Sequence, residues 1–197
     1  MNVLTVAPHP DDEILGVGGT MRHLIADGHH VVVAVATKGW APLFPNEQVH
    51  QVRAESREAC RALGVQDLRF LDLPVKRLHE IPEAEINKTF ADLFDEVRPD
   101  WVFLPFPGDR HEDHRQVFDA CMVALRPSPH RAGARMVLCY ETVSETHWSA
   151  AGMEPAFTPQ YWVDITEHLE AKCLAMRCYA SQVRSAPDAR SLEALRC

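Results

Sequence analysis

The sequence predicts an α/β fold: a Rossmann-like, doubly wound, mostly parallel sheet with helices on both faces, in a single domain. Three observations predict it. Apolar, β-branched runs such as Val3-Leu4-Thr5-Val6-Ala7 and Val31 to Ala36 are continuous rather than alternating, as strands covered on both faces require. Segments with apolar residues at helical spacing separate those runs, the pattern of parallel strands joined by crossover helices. The length of 197 residues and the 46% hydrophobic content suit one domain, here 1–197, with a sizeable core.

The first strand spans Asn2 to Ala7. Ile14 to Asp27 reads as a helix whose Ile14, Leu15, Val17, Met21, Leu24 and Ile25 share an apolar face, with Gly28 ending it. His30 to Thr37 is the second strand, and a loop carrying Gly39, Pro42 and Pro45 follows from Lys38 to Asn46. Glu47 to Leu63, closed by Gly64, is the second helix; Leu68 to Leu71 is a short strand; Ile86 to Val97 is the third helix. Trp101 to Leu104 is a strand ended by Pro105 and Pro107. His111 to Leu125 is helical, Met136 to Tyr140 a strand, Tyr161 to Asp164 a short strand, and Thr166 to Val183 a long helix. Pro127 to Arg135 and Ser149 to Pro159 read as loops, either of which could border a pocket or simply connect elements.

A formal net charge of −8, with no basic cluster among aromatics, excludes a basic nucleic-acid-binding surface. No apolar run reaches the roughly 18 residues of a membrane span. The chain enters its first strand with no basic leader, so a soluble, cytoplasmic protein is expected. Cys60, Cys121, Cys139, Cys173, Cys178 and Cys197 show no CxxC spacing and read as reduced, mostly buried thiols.

Two clusters at strand ends carry the chemistry. His9-Pro10-Asp11-Asp12-Glu13 lies just beyond the first strand, where ligands bind in open α/β sheets. Pro10 stiffens the turn. Adjacent carboxylates repel unless a cation sits beside them, and histidine with carboxylate suits zinc or ferrous iron. One acid can then be a ligand and the other a base. The competing reading is that these acids cap the helix and complement its dipole. Gly16, Gly18 and Gly19 do not make a dinucleotide loop, because acids occupy the strand end where a pyrophosphate would sit. Those glycines are expected to let the first helix pack closely on the sheet.

The second cluster, His111-Glu112-Asp113-His114, follows the strand Trp101 to Leu104. His111 and His114 share a helix face, so one can bind a metal while the other points into substrate space. Asp113 can orient an imidazole. Two histidines and one carboxylate leave positions open for water and substrate, as catalytic zinc sites do.

These two motifs, in this order, resemble the LmbE-like (PIG-L) family of metal-dependent N-acetylglucosamine deacetylases, with an H-P-D-D-E turn and a later H-x-D-H. Weaker similarity extends through Gly28-His29-His30-Val31, Arg53 to Gly64, Tyr140-Glu141-Thr142, Lys172 to Arg184 and Arg190-Ser191. Family members usually continue beyond that last pair, whereas this sequence ends at Cys197: either a closing segment is missing from it or this member lacks one, which bears on the pocket rim and not on the metal site. The resemblance implies that His9, Asp12 and His114 bind the metal, Zn2+ or Fe2+. It implies that Asp11 is the general base, that His111 stabilises the oxyanion and protonates the leaving amine with Asp113 behind it, and that Arg53 contacts substrate. It also implies a small-molecule amino-sugar substrate and a homo-oligomer, trimer or hexamer.

The expected function is thus a zinc-dependent hydrolase that releases acetate from an N-acetylglucosamine-type sugar or conjugate. The alternatives are a metal-dependent hydrolase of another amide or ester, and a non-catalytic metal- or sugar-binding module. Trp40, Trp148 and Trp162 could stack on a sugar, though core packing or loop anchoring is the commoner role. His23, His29, His30, His50, His79, His130, His147 and His168 lack partners at ligand spacing and read as surface or packing residues.

Overall fold

Five parallel strands lie in the order β3-β2-β1-β4-β5 in the computed structural model, which describes residues 1–127, 133–150 and 152–196. The strands are β1 Asn2–Ala7, β2 His30–Lys38, β3 Asp67–Pro74, β4 Trp101–Pro105 and β5 Met136–Tyr140. Between and after them run α1 Asp12–Ala26, α2 Asn46–Leu63, α3 Glu83–Val97, α4 Glu112–Ala124 and α5 Leu169–Cys178. The predicted α/β class, the parallel sheet and the helices on both faces are all present. His130, Cys197 and most of the loop expected at Pro127 to Arg135 lie outside the described residues.

Alternation along the central strands feeds two cores. Val3, Val31, Val33 and Val35 join Ile14, Met21, Leu63 and Met176, so α1, α2 and α5 cover one face. Leu4, Val6, Val32 and Ala34 join Phe90, Leu93, Val117 and Cys121, so α3 and α4 cover the other. Burying each such aliphatic side chain stabilises by about 1.5–3 kcal/mol. That two-sided burial is why the strand signals are continuous rather than alternating. Among the described residues, no helix is long and apolar enough to cross a membrane.

Two expected elements differ. Tyr161 to Asp164 is not a strand: it pairs with nothing in the sheet, and Tyr161 and Trp162 are exposed. Its aromatic and β-branched composition favours a strand, but no sheet edge receives it. The long helix is also broken: a 3-10 turn at Thr166–His168 leads into α5, which stops at Cys178. Tyr179 leaves helical geometry with φ −81° and ψ 57° and buries its ring completely, in a position that serves the site described below.

The glycines of α1 do allow close approach, chiefly to the end of β5 and to the segment before α5. A Cβ on Gly16 would fall 2.3 Å from the Tyr140 ring, and one on Gly19 2.5 Å from Ile165. Strands β1 and β4 are neighbours, yet the chain leaves β1 for β2 on one side and β4 for β5 on the other. Their following loops diverge, and a crevice opens at this switch point.

Candidate functional site

The turn after β1 is held from several directions. The Thr37 hydroxyl, near the end of β2, donates to the carbonyl of Pro8 at 2.8 Å. The backbone N–H of His9 donates to Asp12 Oδ2 at 2.8 Å. Asp11 sits at φ 106°, the left-handed region that a non-glycine residue rarely adopts, at a cost of about 1–3 kcal/mol. A buried chain keeps it there. The Asp11 N–H donates to Glu13 Oε2 at 3.2 Å, and Glu13 Oε1 accepts from the Tyr179 hydroxyl at 2.6 Å. Tyr179 in turn contacts the Ser56 hydroxyl at 2.7 Å. The capping alternative is realised only in part: Asp11 gives α1 no side-chain cap, but Asp12 and Glu13 lie in its first turn and Glu13 accepts the Asp11 N–H.

The loop after β4 supplies the facing groups. His111 caps α4, its Nδ1 accepting from the Asp113 N–H at 3.2 Å. That bond leaves the ring proton of a neutral His111 on Nε2. Asp109 is fully buried: Oδ2 lies 2.7 Å from His114 Nδ1, and Oδ1 accepts from the Thr146 hydroxyl at 2.6 Å. Asp113 Oδ2 lies 2.9 Å from His9 Nε2 and accepts the Lys76 N–H at 2.9 Å. Its distance to His111 Nδ1 is 3.9 Å, so the Asp113 carboxylate stands behind His9 rather than behind His111.

The remaining nitrogens of His9 and His114 converge. His9 Nδ1 and His114 Nε2 are 3.3 Å apart, and Asp12 Oδ2 is 3.2 Å from each. Ligands bound at 2.0–2.1 Å on a tetrahedral zinc ion are about 3.3–3.4 Å apart, so the triangle matches one face of that tetrahedron. Each imidazole has its other nitrogen held by a buried carboxylate, the arrangement that orients metal-ligating histidines. The donor set and spacing therefore fit a divalent metal. His9, His111 and Asp113 also bring ligand atoms together, but His111 Nδ1 and Asp113 are already engaged as described.

The electrostatics agree. Burial alone would raise Asp12, but the charges of His114 and His9 outweigh it and hold the carboxyl well below its usual range. Burial alone would lower His114, but Asp12 and Asp109 outweigh it and push the ring up to about 10. His9 is raised against burial by its hydrogen bonds to Asp113 and Asp12. Buried acids thus demand positive charge at this point, and protons or a cation can supply it.

A cavity of about 600 Å³ opens beside the triangle, with His9, Asp11, His111, Arg53, Glu145 and Arg190 in its wall. Burial and the charge of Asp12 raise the Asp11 carboxyl to about 8, against the pull of Arg190, whose Nε donates to Asp11 Oδ2 at 3.1 Å. Burial and the charge of His9 lower His111 to about 4. Arg53 pairs with Asp72 at 2.7 Å and lies 4.1 Å over the Phe70 ring, with its Nε buried and unpartnered. None of Trp40, Trp148 and Trp162 lines the cavity; Trp40 donates to the Val75 carbonyl, and the other two are exposed.

Sequence reasoning missed Asp109, Glu145, the Arg190–Asp11 pair and the Glu13–Tyr179–Ser56 chain. Asp109 had a signal, a third acid in the same strand-end loop two residues before His111. Glu13 lies in the first motif, and Ser56, Tyr179 and Arg190 in stretches similar to the family, but the partners they reach are set by contacts across the fold; Glu145 had no signal.

Comparison with known proteins places this arrangement in context. A model of the PIG-L family, described as GlcNAc-PI de-N-acetylase, matches residues 4–125. The diacetylchitobiose deacetylase of Thermococcus kodakarensis is 29% identical over 193 residues, covering 91% of this chain and 69% of that protein. A 1D-myo-inositol 2-acetamido-2-deoxy-alpha-D-glucopyranoside deacetylase from a Mycobacterium species is 29% identical over 243 residues, covering 96% and 76%. The N,N'-diacetylchitobiose deacetylase of Pyrococcus horikoshii, solved with an inhibitor, superposes with a TM-score of 0.76 at 27% identity, covering 99% of this chain and 75% of that one.

Proposed function

The chain belongs to the PIG-L family, and from that premise we propose that it is a zinc-dependent hydrolase releasing acetate from an N-acetylglucosamine conjugate. The observation that carries the metal assignment is the triangle of His9 Nδ1, His114 Nε2 and Asp12 Oδ2, with edges of 3.2–3.3 Å. These residues would hold the ion, and two nitrogens with one carboxylate favour zinc, with ferrous iron the nearest competitor. A divalent ion there supplies Lewis acidity and lowers the pKa of water to about 7.

The chain's own groups do the rest. Asp11, buried beside the triangle, takes the proton of the attacking water. Arg190 fixes one oxygen of that carboxylate and keeps it aimed. His111 presents its Nε2–H to the acetyl oxygen, where negative charge develops. Because its Nδ1 accepts a backbone N–H, His111 serves as a neutral donor. On this reading the leaving nitrogen receives its proton from Asp11, where the family resemblance implies His111. Arg53, at the cavity wall, contacts the sugar conjugate.

Acetate release should be assayed across N-acetylglucosamine conjugates with chelator and with zinc or iron restored. Activity is expected to vanish with chelator and to return with metal. His114→Ala should lose both metal and activity. Full activity in the presence of chelator would defeat the proposal.

A further inference from the structure

We propose that the conjugate taken by this cavity is anionic on the part joined to the amino sugar, and that Lys38, Lys76 and Arg184 hold that charge; this rests on the deacetylase reading above. The chain carries 28 acidic against 20 basic residues, yet the cavity wall reverses the balance. It presents the cations Lys38, Arg53, Lys76, Arg184 and Arg190 against the acids Asp11 and Glu145. Arg190 pairs with Asp11 and Arg53 with Asp72, so neither brings an uncompensated charge. Among the described residues, no carboxylate pairs with Lys38, Lys76 or Arg184. Arg184 donates only to the carbonyls of Ser181 and Val183.

Their placement is specific. Lys38 is the last residue of β2, and its carbonyl accepts the Val75 N–H at 3.1 Å. Lys38 thus closes β2 opposite Pro74, and Lys76 lies two residues beyond the end of β3; both line the cavity wall. Lys76 is also at φ 59°, a left-handed conformation held by the bond from its N–H to Asp113. Cations gathered in one wall with no counter-charge from the described residues, one of them on a strained backbone, fit an anion supplied by a ligand. Asp113 grips both Lys76 and His9, so one side chain sets the distance between the cationic rim and the metal triangle. The volume of about 600 Å³ accommodates a sugar together with its attached group.

The N-acetylglucosamine glycosides of glycolic acid and of its methyl amide differ by one charge. Acetate release by the zinc-loaded enzyme should favour the acid by about tenfold in kcat/KM, through KM. The preference should shrink as salt is raised. The double variant Lys38→Gln/Lys76→Gln, and independently Arg184→Gln, should move the ratio towards one. Lys88→Gln, exposed on α3 and paired with Asp92, should leave it unchanged. A ratio near one in the unaltered enzyme, or one unmoved by these variants, overturns the anionic assignment and leaves the deacetylase reading standing. No acetate from either glycoside overturns both.

Discussion

Two helices begin at the same crevice, and they begin differently. At the start of α4, His111 caps its own helix and its backbone is extended, with φ −71° and ψ 125°. At the start of α1, Asp11 adopts a left-handed conformation and caps nothing, although aspartate is among the best capping residues. A conventional cap would have stabilised α1 by about 1 kcal/mol. The α1 end instead withholds Asp11 and Asp12 from its own amides and turns them towards the crevice. The same kind of residue can therefore serve a helix or a reaction, and the backbone angle at one position decides which. On the proposed reading the α4 end does both, because an imidazole has two nitrogens and only one is needed for the cap.

Asp11→Asn tests the difference between the two helix starts most directly. Asparagine tolerates the left-handed conformation, so the fold and the bound metal should persist. The rate should fall by about 10²–10⁴-fold, measured by acetate release beside metal content. Asp11 must be ionised to accept a proton, so wild-type rate should drop as pH falls through its pKa, below about 8 once a cation offsets the charge of Asp12. That acidic limb should be missing from the residual activity of the variant.

The α4 end can be separated into its two roles. His111→Ala and His111→Ser should both lose about a hundredfold in kcat. Only the alanine variant should also lose about 1 kcal/mol of stability, because serine restores the cap. Equal melting temperatures for the two would remove the capping role.

The smallest effect concerns strain. Asp11→Gly in metal-free protein relieves the positive φ and should stabilise by about 1 kcal/mol. The raised carboxyl adds a pH signature. Unfolded Asp11 ionises near 4 and the folded residue near 8, so the native state holds more protons between those values. Its contribution to stability is lost as pH rises through that window. Denaturant unfolding at pH 5 and pH 8 should show that loss in the wild type and a flatter response in the glycine variant.

Much of this was legible in the sequence because its signals are local. Four of the five paired strands announce themselves as apolar runs, while β3 shows only in part, at Leu68 to Leu71, and the two motifs lie directly at strand ends. What was illegible depends on distance through space. Asp113 was read as a partner of His111, its near neighbour in sequence, whereas its carboxylate reaches His9 across 104 residues. The helix expected to run to Val183 shows apolar periodicity because Tyr179 and Val183 pack on the core, not because the helix continues. Arg53 sits in the wall as expected, but its pairing with Asp72 depends on how α2 lies over β3.

The Glu13–Tyr179 bond joins residues 166 positions apart, and the Arg190–Asp11 bond joins residues 179 apart. During synthesis His9 to Glu13 are therefore made long before the groups that brace them. A nascent chain halted at residue 178 has made both histidine turns but has neither the tyrosine that steadies the first nor the arginine that aims its acid. Bracing of the first histidine turn thus waits on residues more than 160 positions downstream.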